Sequence, residues 1–251
     1  MSYSHNGSNY YVTYTPSTTE DDCYDFEQKT VSNGGVIETG TFCRDSQIDD
    51  APSQANTFKL EAWSDNWFAA YLENDLIIED SVSIDTERSF NAETTTFSGS
   101  YPLQLNFILK DFKENDTGLE YIGANNQQMG DGGFIAQITD TQTQEVIAVS
   151  NNDWKCEVLH KAPLDKSCEN ESNPIAGVGP CTFTSNAEPS NWKDTSFDDA
   201  SWDYASEHSE AQVDPKDGYD EISWNENAQL IWGEDLEIDN TLICRITIQQ
   251  P

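Results

Sequence analysis

YPLQLNFILKDF, residues 101–112, decides the fold class. Leu103, Leu105, Phe107 and Leu109 alternate with Gln104, Asn106 and Lys110. Successive side chains of a strand point to opposite faces, so this text gives a strand with one buried and one wet side. The same period runs through TFKLEAW (57–63), where Phe58, Leu60 and Ala62 face away from Lys59 and Glu61. It returns in TLICRITI (241–248), where Leu242, Cys244, Ile246 and Ile248 alternate with Ile243, Arg245 and Thr247. Alternation of this kind belongs to antiparallel sheets.

Working outward, NWFAAYL, DLIIEDSVSI, GGFIAQITD, EVIAVS and AQLIWG are further short runs of β-branched and aromatic residues. Clusters of Asn, Asp, Gly and Ser stand between them and supply turn chemistry. No amphipathic helix longer than a turn or two is legible, and no internal repeat. Residues 1–56 are polar, with short apolar pieces at Tyr10–Tyr14 and Val36–Phe42, and read as an arm with a hairpin or two. Residues 57–251 read as one sandwich, because residues 190–251 hold too few strands for a second one. Residues 160–190 carry Pro, Gly and Asn without a period and form a long loop inside it.

The chain has 46 Asp and Glu against 12 Lys and Arg, a formal charge of -34 spread along its length. Phosphate binding needs a basic footprint, so a nucleic-acid partner is excluded. The same field attracts cations, a mineral surface or basic partners, and it equally serves solubility in salty surroundings. Six cysteines (Cys23, Cys43, Cys156, Cys168, Cys181, Cys244) lack any C-x-x-C pair or zinc-like spacing. They read as disulfides formed in an oxidising compartment, hence a secreted protein. The expected pairs are Cys23 with Cys43, Cys168 with Cys181 across the long loop and, by elimination, Cys156 with Cys244. N-x-S/T triplets at Asn6, Asn115 and Asn170 agree with a glycoprotein. No run of about eighteen apolar residues exists to span a membrane. The opening MSYSHNGSNYY lacks the apolar core of a signal peptide, so a secreted chain implies a signal already removed.

Two groups of residues resemble the galactose-binding-domain-like jelly rolls found as carbohydrate-binding accessory modules. Ser64-Asp65-Asn66-Trp67-Phe68-Ala69-Ala70-Tyr71-Leu72-Glu73-Asn74-Asp75 is similar to the family's "aDd-x-x-x-vyvNG" strand-turn-strand. Leu105-Asn106-Phe107-Ile108-Leu109-Lys110-Asp111 follows it in place of "N-x-iavxvxD". Gly132-Gly133-Phe134-Ile135-Ala136 and Ser150-Asn151-Asn152-Asp153-Trp154-Lys155 resemble "gGfia" and "sTDxsWk". The second group is Trp192 with Phe197-Asp198-Asp199-Ala200-Ser201-Trp202, then Ile231-Trp232 and Cys244-Arg245, similar to "W…FDDSSW" and "WIW…FR". In most members the second group comes first, so the order here is permuted, and the usual NG turn reads Asn74-Asp75. The resemblance implies an antiparallel jelly-roll β-sandwich, with Trp154, Trp192, Trp202 and Trp232 as framework. It also implies that the strand at 241–248 completes the sheet begun near Thr57, with Arg245 outward or in a carboxylate.

His5, His160 and His208 are scattered, and no G-x-S-x-G, H-E-x-x-H or nucleophile-base pattern surrounds them, so no enzyme is expected. Calcium is the expected cofactor. Asp111, Glu114, Asp116 and Glu120 crowd a glycine-containing loop with Asp131 beyond, and hard oxygen ligands on such a loop suit that ion. Asp214, Asp217, Asp220 and Glu221 around Gly218 form a weaker cluster of the same type. In both, a solvated acidic loop is the plainer alternative. Trp63, Asp65, Trp67, Tyr71 and Tyr121 are the candidates to meet a sugar, against the alternative that such aromatics are sandwich packing. The expected function is a noncatalytic extracellular module for carbohydrate or glycosylated surfaces with calcium-supported loops. The alternative is an acidic matrix protein that associates with cations or mineral and self-assembles.

Overall fold

A computed structural model describes residues 2–5, 8–16, 23–30, 36–43, 56–86 and 91–250. The chain divides into two compact units, Met1–Gln54 and Ala55–Pro251. In the first unit β1 (Ser2–His5), β2 (Ser8–Pro16), β3 (Cys23–Thr30) and β4 (Val36–Cys43) form an antiparallel meander in chain order, fuller than a hairpin or two. The Tyr, Val and Thr of these runs suit pleated backbone. Cys23 and Cys43 hold facing register positions, while their side chains, and hence the expected bond, lie outside the described residues.

The second unit is an antiparallel β-sandwich. Its strands are β5 (Asn56–Asp65), β6 (Trp67–Leu72), β7 (Asp75–Glu79), β8 (Ala92–Gly99), β9 (Leu103–Lys110), β10 (Leu119–Glu120), β11 (Gln128–Met129) and β12 (Gly133–Asp140). They continue with β13 (Val146–Val149), β14 (Lys155–Lys161), β15 (Thr184–Ser185), β16 (Asp203–Tyr204), β17 (Ser206–His208), β18 (Leu230–Trp232) and β19 (Asp239–Ile248). One sheet runs β17-β18-β12-β5-β8 with β13 also on β12, and the facing sheet runs β15-β14-β19-β9-β6-β7 with β16 also on β14. The alternation legible in the sequence sets which side chains meet between them. Phe58, Leu60, Ala62, Phe134 and Ile138 from one sheet bury against Leu105, Phe107, Leu109 and Leu242 from the other. Trp154 closes the core, its ring 4.8 Å from Phe107 and 5.9 Å from Phe134 between centroids. Each of the Leu, Ile and Phe side chains contributes about 1.5–3 kcal/mol by leaving water.

Cys156 and Cys244 face one another on β14 and β19 and are bonded inside this core, and Cys168–Cys181 ties the long loop. Two expectations need correction. First, β19 does not join the sheet of β5; it lies between β14 and β9 in the facing sheet. The chain changes sheets at Asp65–Asn66, so β6 pairs with β9 and leads that second sheet to β19. Its side chains point as expected, with Leu242, Cys244 and Ile248 in the core and Arg245 on a carboxylate. Second, the β6–β7 turn is Glu73-Asn74, between partners Leu72 and Asp75, with Glu73 at φ 51. A bulge in this hairpin next to Tyr71 shifts the register by one residue.

Both outer faces are covered by irregular straps. Residues 186–205 cross the second sheet, where Trp192 and Trp202 pack on Leu159 and Ile243. Residues 209–228, beginning with the single helical turn α1 (Glu210–Val213), cross the first sheet and bury Trp63 with Ile135, Val213 and Leu230.

Candidate binding site at the loop end of the sandwich

The end of the sandwich where β5 turns into β6 gathers the loops that follow β9, β11 and β18. Asn66 is fixed there by its N–H to Lys110 O (3.0 Å) and by accepting the Phe112 N–H at Oδ1 (2.5 Å). Asp111 N–H donates to Asn240 O (3.0 Å), and Gly132 N–H to Leu236 O (3.0 Å). Trp232 Nε1 donates to Asp239 O at 2.6 Å and lies so close to Gly132 that any side chain there would collide with its ring.

These constraints carry Asp65 and Asp111 into the interior, 1 % and 3 % exposed. Both oxygens of Asp111 and Oδ2 of Asp65 are buried without a hydrogen-bond partner. Burial, joined by the charges of Asp65, Glu120 and Asp131, holds Asp111 well above the usual carboxylate range, against the nearby Phe112 amide. Burial, then Asp131, does the same to Asp65, with Lys216 opposing. Glu120 is buried as well and accepts from Gln128 Nε2 at 3.0 Å. Asp131, whose carboxyl is raised by its burial, stands 3.5 Å from Lys216 Nζ.

Of the five acids expected to share a metal, Glu120 and Asp131 act electrostatically on Asp111, and Asp65, expected to meet a sugar, acts on it too. Glu114 turns away and accepts from Ile122 N–H (2.9 Å), while Asp116 lies by Lys113 (2.8 Å) and His160 (3.2 Å). Among the described residues no three His, Cys, Asp or Glu side chains stand close enough to form a metal-binding group. The cluster around Gly218 belongs to the strap: Asp217 O receives Trp63 Nε1 (3.1 Å), and Asp214 receives Lys216.

The aromatic candidates are placed differently from one another. Trp63 is fully buried under the strap, edge-on to Tyr219 at 5.6 Å. Trp67 and Tyr71 share the outer face of β6 but are capped by lysines, with Lys110 Nζ 4.8 Å and Lys193 Nζ 3.5 Å from the ring centres. Tyr121 is half-buried at a turn, with φ 51. What sequence reasoning missed is an open polar cleft of about 540 Å³ beside the buried acids. Gln128, Asp131, Glu169, Gln212 and Glu237 offer it polar groups, and Leu236 an apolar surface. Gly130 lines it too, with its Cα against the Asp111 carboxylate, where an added Cβ would stand 1.9 Å from Oδ2. These residues come from four separate stretches of chain, β11 with the turn after it, the turn at Lys166–Asn170, α1 and the loop after β18, and no local motif marks them.

A scan against protein-family models, curated proteins and solved structures finds no match to the chain.

Proposed function

We propose that this chain is a noncatalytic extracellular binding module, related to the galactose-binding-like jelly rolls, that holds a carbohydrate in the loop-end cleft. The observation that carries the reading is the cleft itself, where amides and carboxylates stand around an apolar Leu236. Sugar hydroxyls bond such groups and sugar C–H faces rest on such a surface, and the cleft's volume lies in the range of small-molecule sites. The two disulfides support an oxidising, extracellular setting. Among the described residues no helix is long and apolar enough to cross a membrane.

A glycan array run with and without calcium tests the reading, with Glu169→Ala as the variant. The expected result is a restricted set of glycans retained by the wild-type chain and a loss of at least about tenfold in the variant, the size of one lost polar contact to a charged group. No glycan bound in either condition, together with bulk low-affinity cation uptake, would favour the second reading. That reading is an acidic matrix protein that associates with cations or mineral and self-assembles, and the charge of -34 is the observation behind it.

A further inference from the structure

We propose that Asp65 and Asp111 bind one divalent cation of calcium's class, reached from the cleft past Gly130. The inference does not depend on what the cleft itself holds. Three carboxylate oxygens, Asp65 Oδ2 and Asp111 Oδ1 and Oδ2, are buried and accept no hydrogen bond, because the one amide beside Asp111, the Phe112 N–H, is taken by Asn66 Oδ1. A buried ionised carboxylate without a partner is costly enough that folds otherwise avoid it, so the three oxygens together indicate a missing positive group. Lys216 is the cation that acts on Asp65, yet its ammonium is held by Asp214 (3.3 Å) and Asp131 (3.5 Å). Glu120 and Asp131 add negative charge around the pair.

A proton would discharge one carboxylate and leave the other oxygens bare. A divalent ion discharges both carboxylates at once. Calcium takes oxygen ligands of mixed kind, so two carboxylates serve it with backbone carbonyls and water completing the shell, and no group of three acids is required. Gly130 gives the way in. Its lack of a side chain lets the backbone lie against Asp111 Oδ2, and the same residue lines the open cleft. Glu114 and Asp116, engaged elsewhere, take no part.

The full chain, freed of metal by chelation and held in about 0.15 M salt so that diffuse surface attraction is screened, is titrated with terbium and with calcium. Trp63 precedes Asp65 by two residues, so excitation of tryptophan should sensitise terbium emission. The expected result is one saturable equivalent per chain, displaced by calcium. Calcium at about a hundred times its dissociation constant should raise Tm by about 5–10 °C. Asp111→Asn and Asp65→Asn should each weaken binding more than tenfold while keeping the metal-free near-ultraviolet circular dichroism of the wild type. Glu114→Gln should leave binding unchanged, and Gly130→Ala should weaken it by crowding Asp111. Unsaturable uptake by the wild type, or wild-type affinity in both Asn variants, overturns the site. Crystals of the wild-type chain grown with terbium give a test that needs no variant: anomalous density between Asp65 and Asp111 supports the site, and density elsewhere or none overturns it. A bound ion with no glycan retained would remove the carbohydrate reading alone.

Discussion

Arg245 and Asp111 are both charged groups withdrawn from water in the same sandwich, yet their surroundings differ. Arg245 leaves β19 toward the outer strap and finds a partner for every nitrogen. Nη1 meets Asp199 Oδ2 (2.8 Å) and Phe197 O (3.1 Å), Nη2 meets Asp194 O (2.8 Å), and Nε meets Asn106 Oδ1 (3.2 Å). Its ring neighbour Phe197 lies 5.1 Å away. Asp111 sits at the loop end with both oxygens unpartnered. A satisfied buried charge fixes a conformation, here the path of residues 194–199 over the second sheet, whereas an unsatisfied one leaves room for a ligand. The F-D-D-A-S-W run thereby acquires a physical meaning. Phe197 offers its carbonyl and ring, Asp199 its carboxylate, and Asp198 caps the turn by accepting Ala200 N–H (3.1 Å).

The largest effect is expected at the satisfied charge. Arg245→Met removes the guanidinium and strands Asp199 with three other acceptors, at a cost of about 3–5 kcal/mol. For a unit of this size that is a fall in Tm of about 6–20 °C, read by calorimetry. A fall below about 1 kcal/mol would show that the strap is held by Trp192 and Trp202 and that the guanidinium is incidental.

Next in size is the bond beside it. Replacing Cys156 and Cys244 by Ala opens an 88-residue loop in the unfolded chain and empties a core position on β19. A loss of about 2–4 kcal/mol in urea unfolding is expected. If the double variant lost more than Arg245→Met, the strand would owe its place chiefly to the core side of β19 rather than to the strap.

At the unsatisfied charge the sign reverses. In metal-free protein Asp111→Asn keeps the shape and removes a desolvated charge from beside Asp65, so a gain of about 1 kcal/mol is expected, or about 2–4 °C. A loss of similar size would mean that Asp111 is a structural acceptor like those around Arg245, and the contrast between the two sites would fail.

The contrast also marks where sequence reading stops. The alternation in 57–63, 103–110 and 241–248 shows the two-faced strands directly, because a strand's period is a local property. That Arg245 leaves the core followed from its alternation with Cys244 and Ile246 on one strand, while the choice between open water and the Asp199 carboxylate did not. The sheet to which β19 belongs did not follow, since it turns on a corner at Asp65–Asn66 that lies 174 positions before Asp239. Asp65 and Trp63 stand in the sequence as candidates to meet a sugar, with packing as the alternative for Trp63, because the strap of residues 209–228 has no period and gives no sign that it covers Trp63. The pairing of Asp65 with Asp111 joins two strand ends through folding alone. Charge density along the loop pointed instead to Glu114 and Asp116, which the loop turns away from the interior.

His160 stands between the two cases and is expected to give the smallest effect. It is buried and stacked on Phe183 at 5.7 Å, and its Nε2 lies 3.2 Å from an Asp116 carboxylate that is half-exposed. Burial, aided by Lys113, lowers its pKa from the ordinary value, and Asp116 recovers part of the difference. In the unfolded chain the imidazole takes a proton near its free pKa of about 6.5, whereas the folded ring resists it to lower pH. The unfolded state therefore binds more protons as the pH falls below about 6.5, and stability is lost from there down to the folded pKa. The wild-type curve alone cannot isolate this, because 46 acids against 12 bases also change their mutual repulsion as the pH falls. The difference between wild type and His160→Gln can. Below pH about 6.5 the wild type should lose stability relative to the variant, by less than about 1 kcal/mol because Asp116 recovers part of what burial and Lys113 cost the protonated ring. Parallel urea midpoints from neutral pH to about pH 5 would mean that Asp116 offsets the burial completely and that His160, like Arg245, is a satisfied group.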